Sequence, residues 1–371
     1  MKEFKINEIP EEERIILGRT NGKLNPLTLF WTASGIEISL EGTELWAEFE
    51  TDYSLYECWI DVIVDGALSQ RLMLPKGKAR ICIFRGIEGN IKRNIRIIRD
   101  TQAMCGDPCN MLNLNSISFE GNLCPVKEYA LKLEFIGDSI TSGEGANGAH
   151  DEMEWIPMVF NAYREYAFMT SKKLDAVYNC ISQSGWGIYC GWDGNVHNTL
   201  PRVYEDVCGV LEGDRNESLG ALTKWNFNHY NPDYIIINLG TNDNGSFDQP
   251  DFIDPLTSLS NTMRRDDNGQ MVPQDLEKIT NAAYNFLRMV RRCNEGSYII
   301  WCYGMLGHEL SKPLSDTVRR YSEETGDALV SFLELPDTME DGFGSRQHPG
   351  FPSHAAASTV IAKKITSLMG R

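Results

Sequence analysis

Positive charge is scarce in this chain of 371 residues: 35 Lys and Arg stand against 52 Asp and Glu, a formal net charge of −17, with no basic cluster to reverse the sign locally. A phosphate backbone would be repelled, so nucleic-acid binding is not expected. Long apolar runs are missing too. No stretch approaches the roughly 20 apolar residues of a membrane span, and no membrane association is expected. The first residues, MKEFKINEIPEEERIIL, are charged throughout and lack the apolar core of a secretory signal, which points to a cytoplasmic address if Met1 is the natural start. Internal repeats and low-complexity linkers are also absent.

Ten cysteines are present, but several (Cys58, Cys82, Cys180, Cys302) lie inside apolar, strand-like segments. A free thiol there behaves as a small hydrophobe, and reduced thiols fit the same address. Cys105-Gly106-Asp107-Pro108-Cys109 has a spacing that suggests metal, yet no second Cys or Cys/His pair accompanies it as a structural zinc site requires. Neither a metal nor a cofactor is expected.

Two textures divide the chain. Residues 1–125 show short segments rich in β-branched and aromatic residues (LTLFWT, GIEISL, LWAEFE, CWIDVIV, ARICIF, NIRIIR, SISFE) between turn residues, which predicts an antiparallel β-sandwich of the jelly-roll kind. Residues 126–371 alternate strand-like and helical runs, which predicts an α/β domain with a parallel sheet covered on both faces. Leu276, Ile279, Ala283, Phe286, Leu287 and Val290 form one apolar stripe on the helix after the third strand, and Ser353 reads as the N-cap of the last helix.

In an open parallel sheet, functional groups collect beyond the carboxyl ends of the strands. Gly137-Asp138-Ser139 follows the first strand, Ser184-Gly185-Trp186-Gly187 the second and Gly240-Thr241-Asn242-Asp243 the third. Acyl transfer needs a nucleophilic oxygen, a base, and donors aimed where the carbonyl oxygen becomes an anion. Ser139 supplies the oxygen. The Ser139 and Gly185 N–H groups and the Asn242 amide would form the oxyanion hole. Among six histidines, His150, His197, His229 and His308 suit surface or structural roles. His348, in a loop ahead of the last helix and followed by a proline that restricts it, is the base; His354, on that helix's first turn, is better placed to cap or pack. Singly, each residue also reads as a cap, turn or bend; their joint arrival at successive strand ends does not.

The blocks FIGDSITSG, QSGWG, GTND and HPG, carrying Ser139, Gly185, Asn242 and His348, resemble the four landmarks of the SGNH (GDSL) hydrolases. The resemblance covers about Leu131 to Arg371 and implies a flavodoxin-like α/β/α sandwich. The extended block FIGDSITSGEG, the phrase IIWCYGM and the β-sandwich ahead of them are similar to carbohydrate esterase family two. This implies an acetylxylan-esterase-like serine enzyme that deacetylates plant-polysaccharide oligosaccharides through an acetyl-serine intermediate. Its partner would be an acetylated oligosaccharide, with a homo-oligomer left open. Trp186, Trp192, Trp301 and Tyr303 are expected to shape acyl and sugar subsites, with core packing the competing role for Trp301.

One departure stands out. The family usually places an Asp three residues before the histidine, or in some members two before, and here those positions are Ser345 and Arg346. A Ser139–His348 dyad oriented by a backbone carbonyl is expected, with Glu334, Asp337, Glu340 and Asp341 as displaced acids that could substitute. Two other functions compete. Gly143-Glu144-Gly145-Ala146-Asn147-Gly148 is a literal G-x-G-x-x-G after a strand, the pattern of a dinucleotide site in an oxidoreductase, but GDSIT intervenes between it and the strand, and Glu144 would face phosphates with like charge. The alternative to an esterase is a non-catalytic carbohydrate-binding protein on a decayed scaffold.

Overall fold

The computed structural model describes residues 1–370. Antiparallel strands make up the first third of the chain. The longest, Gly35–Asp52, joins two expected strands into one of 18 residues. It pairs along one edge with Arg14–Leu17 and then Met111–Cys124, and along the other with Lys92–Arg99 and then Gly77–Arg85. Register shifts near Gly42 and Leu45 bend it, as bulges do, and fold the ladder over a core that includes Ile36, Ile38, Leu45, Phe49, Ile60, Ile97, Leu114 and Phe119. The result is an antiparallel β-sandwich. Of LTLFWT only Leu27–Thr28 is strand. The rest leaves the ladder because Trp31 turns into the remainder of the chain, where its indole N–H donates to the Val207 carbonyl at 2.6 Å.

The remaining two-thirds or so contain five parallel strands: β1 (Leu131–Gly137), β2 (Ala176–Ser182), β3 (Tyr234–Asn238), β4 (Tyr298–Tyr303) and β5 (Val330–Glu334), in the order 2-1-3-4-5. Side chains alternate between two apolar layers. Phe135, Cys180, Ile236 and Ile300 meet helices α1 (Tyr166–Leu174) and α4 (Phe351–Met369) on one face. Ile136, Ile181, Ile237 and Trp301 meet α2 (Pro273–Cys293) and α3 (Ser311–Thr325) on the other. Burial on both faces is why these strands read as unbroken apolar runs. Strand order reverses between β1 and β3, so the crevice characteristic of this topology opens beyond their carboxyl ends.

One cap differs from expectation. Helix α4 begins at Phe351, with Gly350 as its N-cap and a proline in its first turn. Ser353 is therefore inside the helix, where its hydroxyl donates to the Gly342 carbonyl at 3.0 Å. The proline fixes φ one residue earlier and starts the helix sooner.

The two parts share a buried boundary. Phe30, Trp31 and Ala103 from the sandwich belong to the same apolar cluster as Ile136, Ile181 and Ile237. Arg19, fully buried, pairs with Glu134 on β1 at 3.2 Å, and Asp100 accepts the Ala162 N–H at 2.8 Å. The sandwich also reaches the crevice itself, since Gln102 Oε1 accepts the Ser184 N–H at 2.7 Å. Among the described residues, no helix is long and apolar enough to cross a membrane.

Candidate active site

Ser139 stands in the turn that leaves β1. The Asp138 carboxylate accepts the Ile140 N–H at 3.1 Å and the Asp138 carbonyl accepts the Ser142 N–H at 3.0 Å, so the turn is closed on itself and the serine is held at its tip. Its hydroxyl lies 2.9 Å from Nε2 of His348. The other ring nitrogen, Nδ1, lies 2.9 Å from the Arg346 carbonyl. A carbonyl oxygen can only accept, so Nδ1 carries the proton and Nε2 presents its lone pair to the serine.

The backbone is strained to achieve this. Arg346 and Gln347 have φ of 58° and 55°, both in the left-handed region that non-glycine residues seldom occupy. The serine-side loop closes against the same segment: Gly145 has φ 77°, and a Cβ there would lie 2.4 Å from that of His348. The G-x-G-x-x-G glycines thus serve close packing of two loops. No helix opens at the motif, since α1 starts only at Tyr166.

None of the four displaced acids hydrogen-bonds to His348. Glu334 faces His308 at 3.8 Å, Asp337 accepts the Gly307 and Thr338 N–H groups, and Glu340 and Asp341 are exposed in a short turn. The carboxylate that does approach is Glu144, which from sequence alone shows only as an obstacle to phosphate. It is 2% exposed, and Oε1 is 3.8 Å from Nε2 of His348. Oε1 also accepts Arg346 Nε at 2.7 Å, while Oε2 accepts the Ser184 hydroxyl at 2.7 Å and Trp155 Nε1 at 3.3 Å. Burial alone would raise this carboxyl, but His348, Ser184 and Arg346 outweigh it and hold it below the ordinary carboxylate range.

The three proposed oxyanion donors converge on the crevice from β1, β2 and β3. The Ser139 and Gly185 N–H groups have no acceptor among the described residues. Gly185 has φ 78°, which suits glycine, and a Cβ there would meet Trp192 Cδ1 at 3.0 Å. Asn242 differs: its amide nitrogen is 2.9 Å from the Trp186 carbonyl and 3.2 Å from Asp138 Oδ2, so both of its hydrogens have acceptors. The longer contact, to Asp138, is the one an oxyanion would share or displace. Asp243 beside it anchors the glycine loop by accepting the N–H groups of Ile188, Tyr189 and Cys190 at 2.8, 2.7 and 3.2 Å. Burial pushes Asp138 up to about 7 and Asp243 up to about 6 despite these donors.

The aromatic expectations divide. Trp186, in the glycine loop, is 7% exposed and packs in the same buried apolar cluster as Ile181 and Ile188, so it offers little open surface to a sugar, whereas Trp192, 53% exposed, offers an open face next to Gly185. Trp301 and Tyr303 are corrected. Both are fully buried on β4, a strand flanked on both edges and covered by helices, and Trp301 packs edge-on against Phe286 of α2. They cannot form a sugar surface. Trp155, which donates to Glu144 and meets Tyr56 of the sandwich edge-to-face at 4.8 Å, is an aromatic of the site that no strand-end motif signals. His354 is fully buried, accepts the Tyr166 N–H on Nδ1 at 3.2 Å and stacks on the Tyr166 ring. Among the described residues, no three His, Cys, Asp or Glu side chains are grouped to hold a metal ion.

Comparison with known proteins agrees with this architecture. Residues 133–362 match the GDSL-like lipase/acylhydrolase family. An acetyl xylan esterase from the rumen bacterium Butyrivibrio proteoclasticus is 42% identical, with a TM-score of 0.98 over 100% of this chain and 98% of that one. A family two carbohydrate esterase from Clostridium thermocellum, in complex with cellohexaose, shares the fold of both parts at 23% identity, with a TM-score of 0.79 over 96% of this chain and 99% of that one. A cellulase/esterase from Acetivibrio thermocellus is 26% identical over 348 residues, 92% of this chain; the chain spans only 37% of that longer protein.

Proposed function

The chain belongs to the GDSL-like lipase/acylhydrolase family, and from that premise we propose that it is a serine carbohydrate esterase that removes O-acetyl groups from plant-polysaccharide oligosaccharides such as acetylxylan fragments. One observation carries the mechanism: His348 bridges Ser139 and the Arg346 carbonyl with 2.9 Å on each side.

In the first half-reaction Nε2 of His348 takes the Ser139 proton as the oxygen attacks the acetyl carbonyl. The carbonyl oxygen becomes an anion facing the Ser139 and Gly185 N–H groups and the Asn242 amide. Collapse breaks the bond to the sugar oxygen, which leaves with the proton from His348. Water repeats the sequence on the acetyl-serine and releases acetate. A neutral carbonyl fixes the tautomer as a triad acid would. An acetyl ester asks less of the acid step than an amide, because its alcohol leaves more readily. The likeness to an acetyl xylan esterase along the whole chain, and the open face of Trp192 at the crevice, favour a sugar ester as substrate.

The test is acetate release from a panel of acetylated xylo-, manno- and gluco-oligosaccharides, with Ser139→Ala and His348→Ala as controls. A serine-directed organophosphorus reagent should label Ser139. The two variants should retain the fold and lose activity by about 10⁴-fold or more. Labelling elsewhere, or near-normal turnover by Ser139→Ala, would overturn the reading.

A further inference from the structure

The dyad has an electrostatic deficit. During attack His348 becomes an imidazolium, and the Arg346 carbonyl that receives its Nδ1 proton carries only a partial charge. The full negative charge nearest the ring lies on the opposite side. Glu144 Oε1 is 3.8 Å from Nε2, in a position 2% exposed to solvent. Coulomb attraction at that distance is far stronger in a site with little water than at a surface.

The carboxylate is also built into the apparatus that aims the ring. Ser184 and Trp155 hold Oε2, and Arg346 Nε holds Oε1. Arg346 therefore binds Glu144 through its side chain and His348 through its carbonyl, which ties the strained left-handed segment to a buried anchor. Around the dyad the other ionisable groups are Asp138 beneath the serine turn, Asp243 beneath the glycine loop, and His354 on the first turn of α4. Burial favours the neutral form of all three, whereas Glu144 is held ionised.

We propose that Glu144 replaces the missing triad acid, acting from the Nε2 edge of His348 as the anion that stabilises the imidazolium and, through Arg346, as the positioning residue for the carbonyl on Nδ1. Arg346 offsets part of that charge. The effect of Glu144 is therefore smaller than that of a triad acid, whose loss costs about 10⁴-fold in kcat. The inference rests on the esterase reading, in which His348 is the base.

The experiment compares Glu144→Gln with Arg346→Met, which keeps the backbone carbonyl and removes the counter-charge. Two readouts are the NMR titration of the His348 imidazole and the pH profile of kcat/KM on an aryl acetate. Glu144→Gln should move both the imidazole titration and the acid limb to lower pH and reduce kcat by about 10- to 100-fold with little change in KM. Arg346→Met should move the titration to higher pH. Glu144→Asp, which keeps the charge, should recover part of kcat. Unmoved titrations, or displacement of both variants in the same direction, would overturn the proposal. The NMR arm needs no turnover, so a wild-type protein inactive on every acetyl ester would sink the esterase reading separately.

Discussion

Nδ1 of His348 and the main-chain oxygen of Arg346 are 2.9 Å apart, so the position two residues before the histidine orients it with a peptide group. The side chain at that position is thereby released for another contact, the ion pair with Glu144 at 2.7 Å. A carbonyl in this role depends on backbone geometry. It requires the left-handed conformation at Arg346 and Gln347, and with it the packing of the Gly145 loop against His348.

If that carbonyl suffices, none of the four nearby acids is needed. Alanine at Glu334, Asp337, Glu340 or Asp341 should each lower kcat by less than about tenfold on one acetylated oligosaccharide, far below the effect of removing a triad acid. A loss on the order of a thousandfold at any of them, in a folded variant, would place a carboxylate on Nδ1 during turnover.

Asn242→Ala should reduce kcat by about 10²- to 10³-fold while KM changes little, as expected of a donor to charge that exists only in the transition state. Because the amide also donates to the Trp186 carbonyl, the variant should lose some thermal stability, and turnover must be normalised to folded protein. A change confined to KM would make Asn242 a ground-state contact with the sugar.

The two exposed or buried tryptophans should separate cleanly. Trp192→Ala should raise KM for oligosaccharides by about tenfold and leave an aryl acetate nearly unaffected, since only the sugar needs its open face. Trp301→Ala should destabilise the protein by about 3–5 kcal/mol through an unfilled cavity. Equal melting temperatures for the two variants would contradict this assignment.

The parallel sheet was legible because burial on both faces leaves runs such as Ile235-Ile236-Ile237, and these alternate along the chain with helical stretches. The dyad residues were legible because the topology sends each motif to the same edge. Strands Lys2–Lys5 and Ala67–Met73 were missed: both are half-exposed and lack the alternating apolar signal. Trp301 and Tyr303 were misjudged because sequence gives a residue's strand but not the depth of that strand in the sheet. Glu144 was hidden for a different reason. Its partners Ser184 and Arg346 lie 40 and 202 residues away, and only folding brings them together. The flanking Gly143 and Gly145 were its one local sign, marking a close approach whose partner the sequence does not reveal.

His354 gives the protein a defined response to acid. Burial lowers it from an ordinary 6.5 to about 3, so the folded state keeps it neutral, with Nδ1 accepting the Tyr166 N–H. Between those two values the unfolded chain holds a proton that the folded chain does not. Stability therefore rises with pH across the window, and is lost as pH falls from about 6.5 towards 3. Asp138 opposes this. Its folded value of about 7 against an ordinary 3.8 means the folded state holds the extra proton, and stability falls as pH rises through that range. The two contributions are separated by substitution. His354→Gln should lose about 2 kcal/mol or more at pH 8, as a fully buried side chain is replaced. From pH 6.5 down to 4 it should lose less additional stability than the wild type, because the titrating imidazole is gone. Urea unfolding of both proteins at closely spaced pH values measures the difference directly. A variant whose stability falls with acid as steeply as the wild type's would show that His354 is not the group that charges on unfolding.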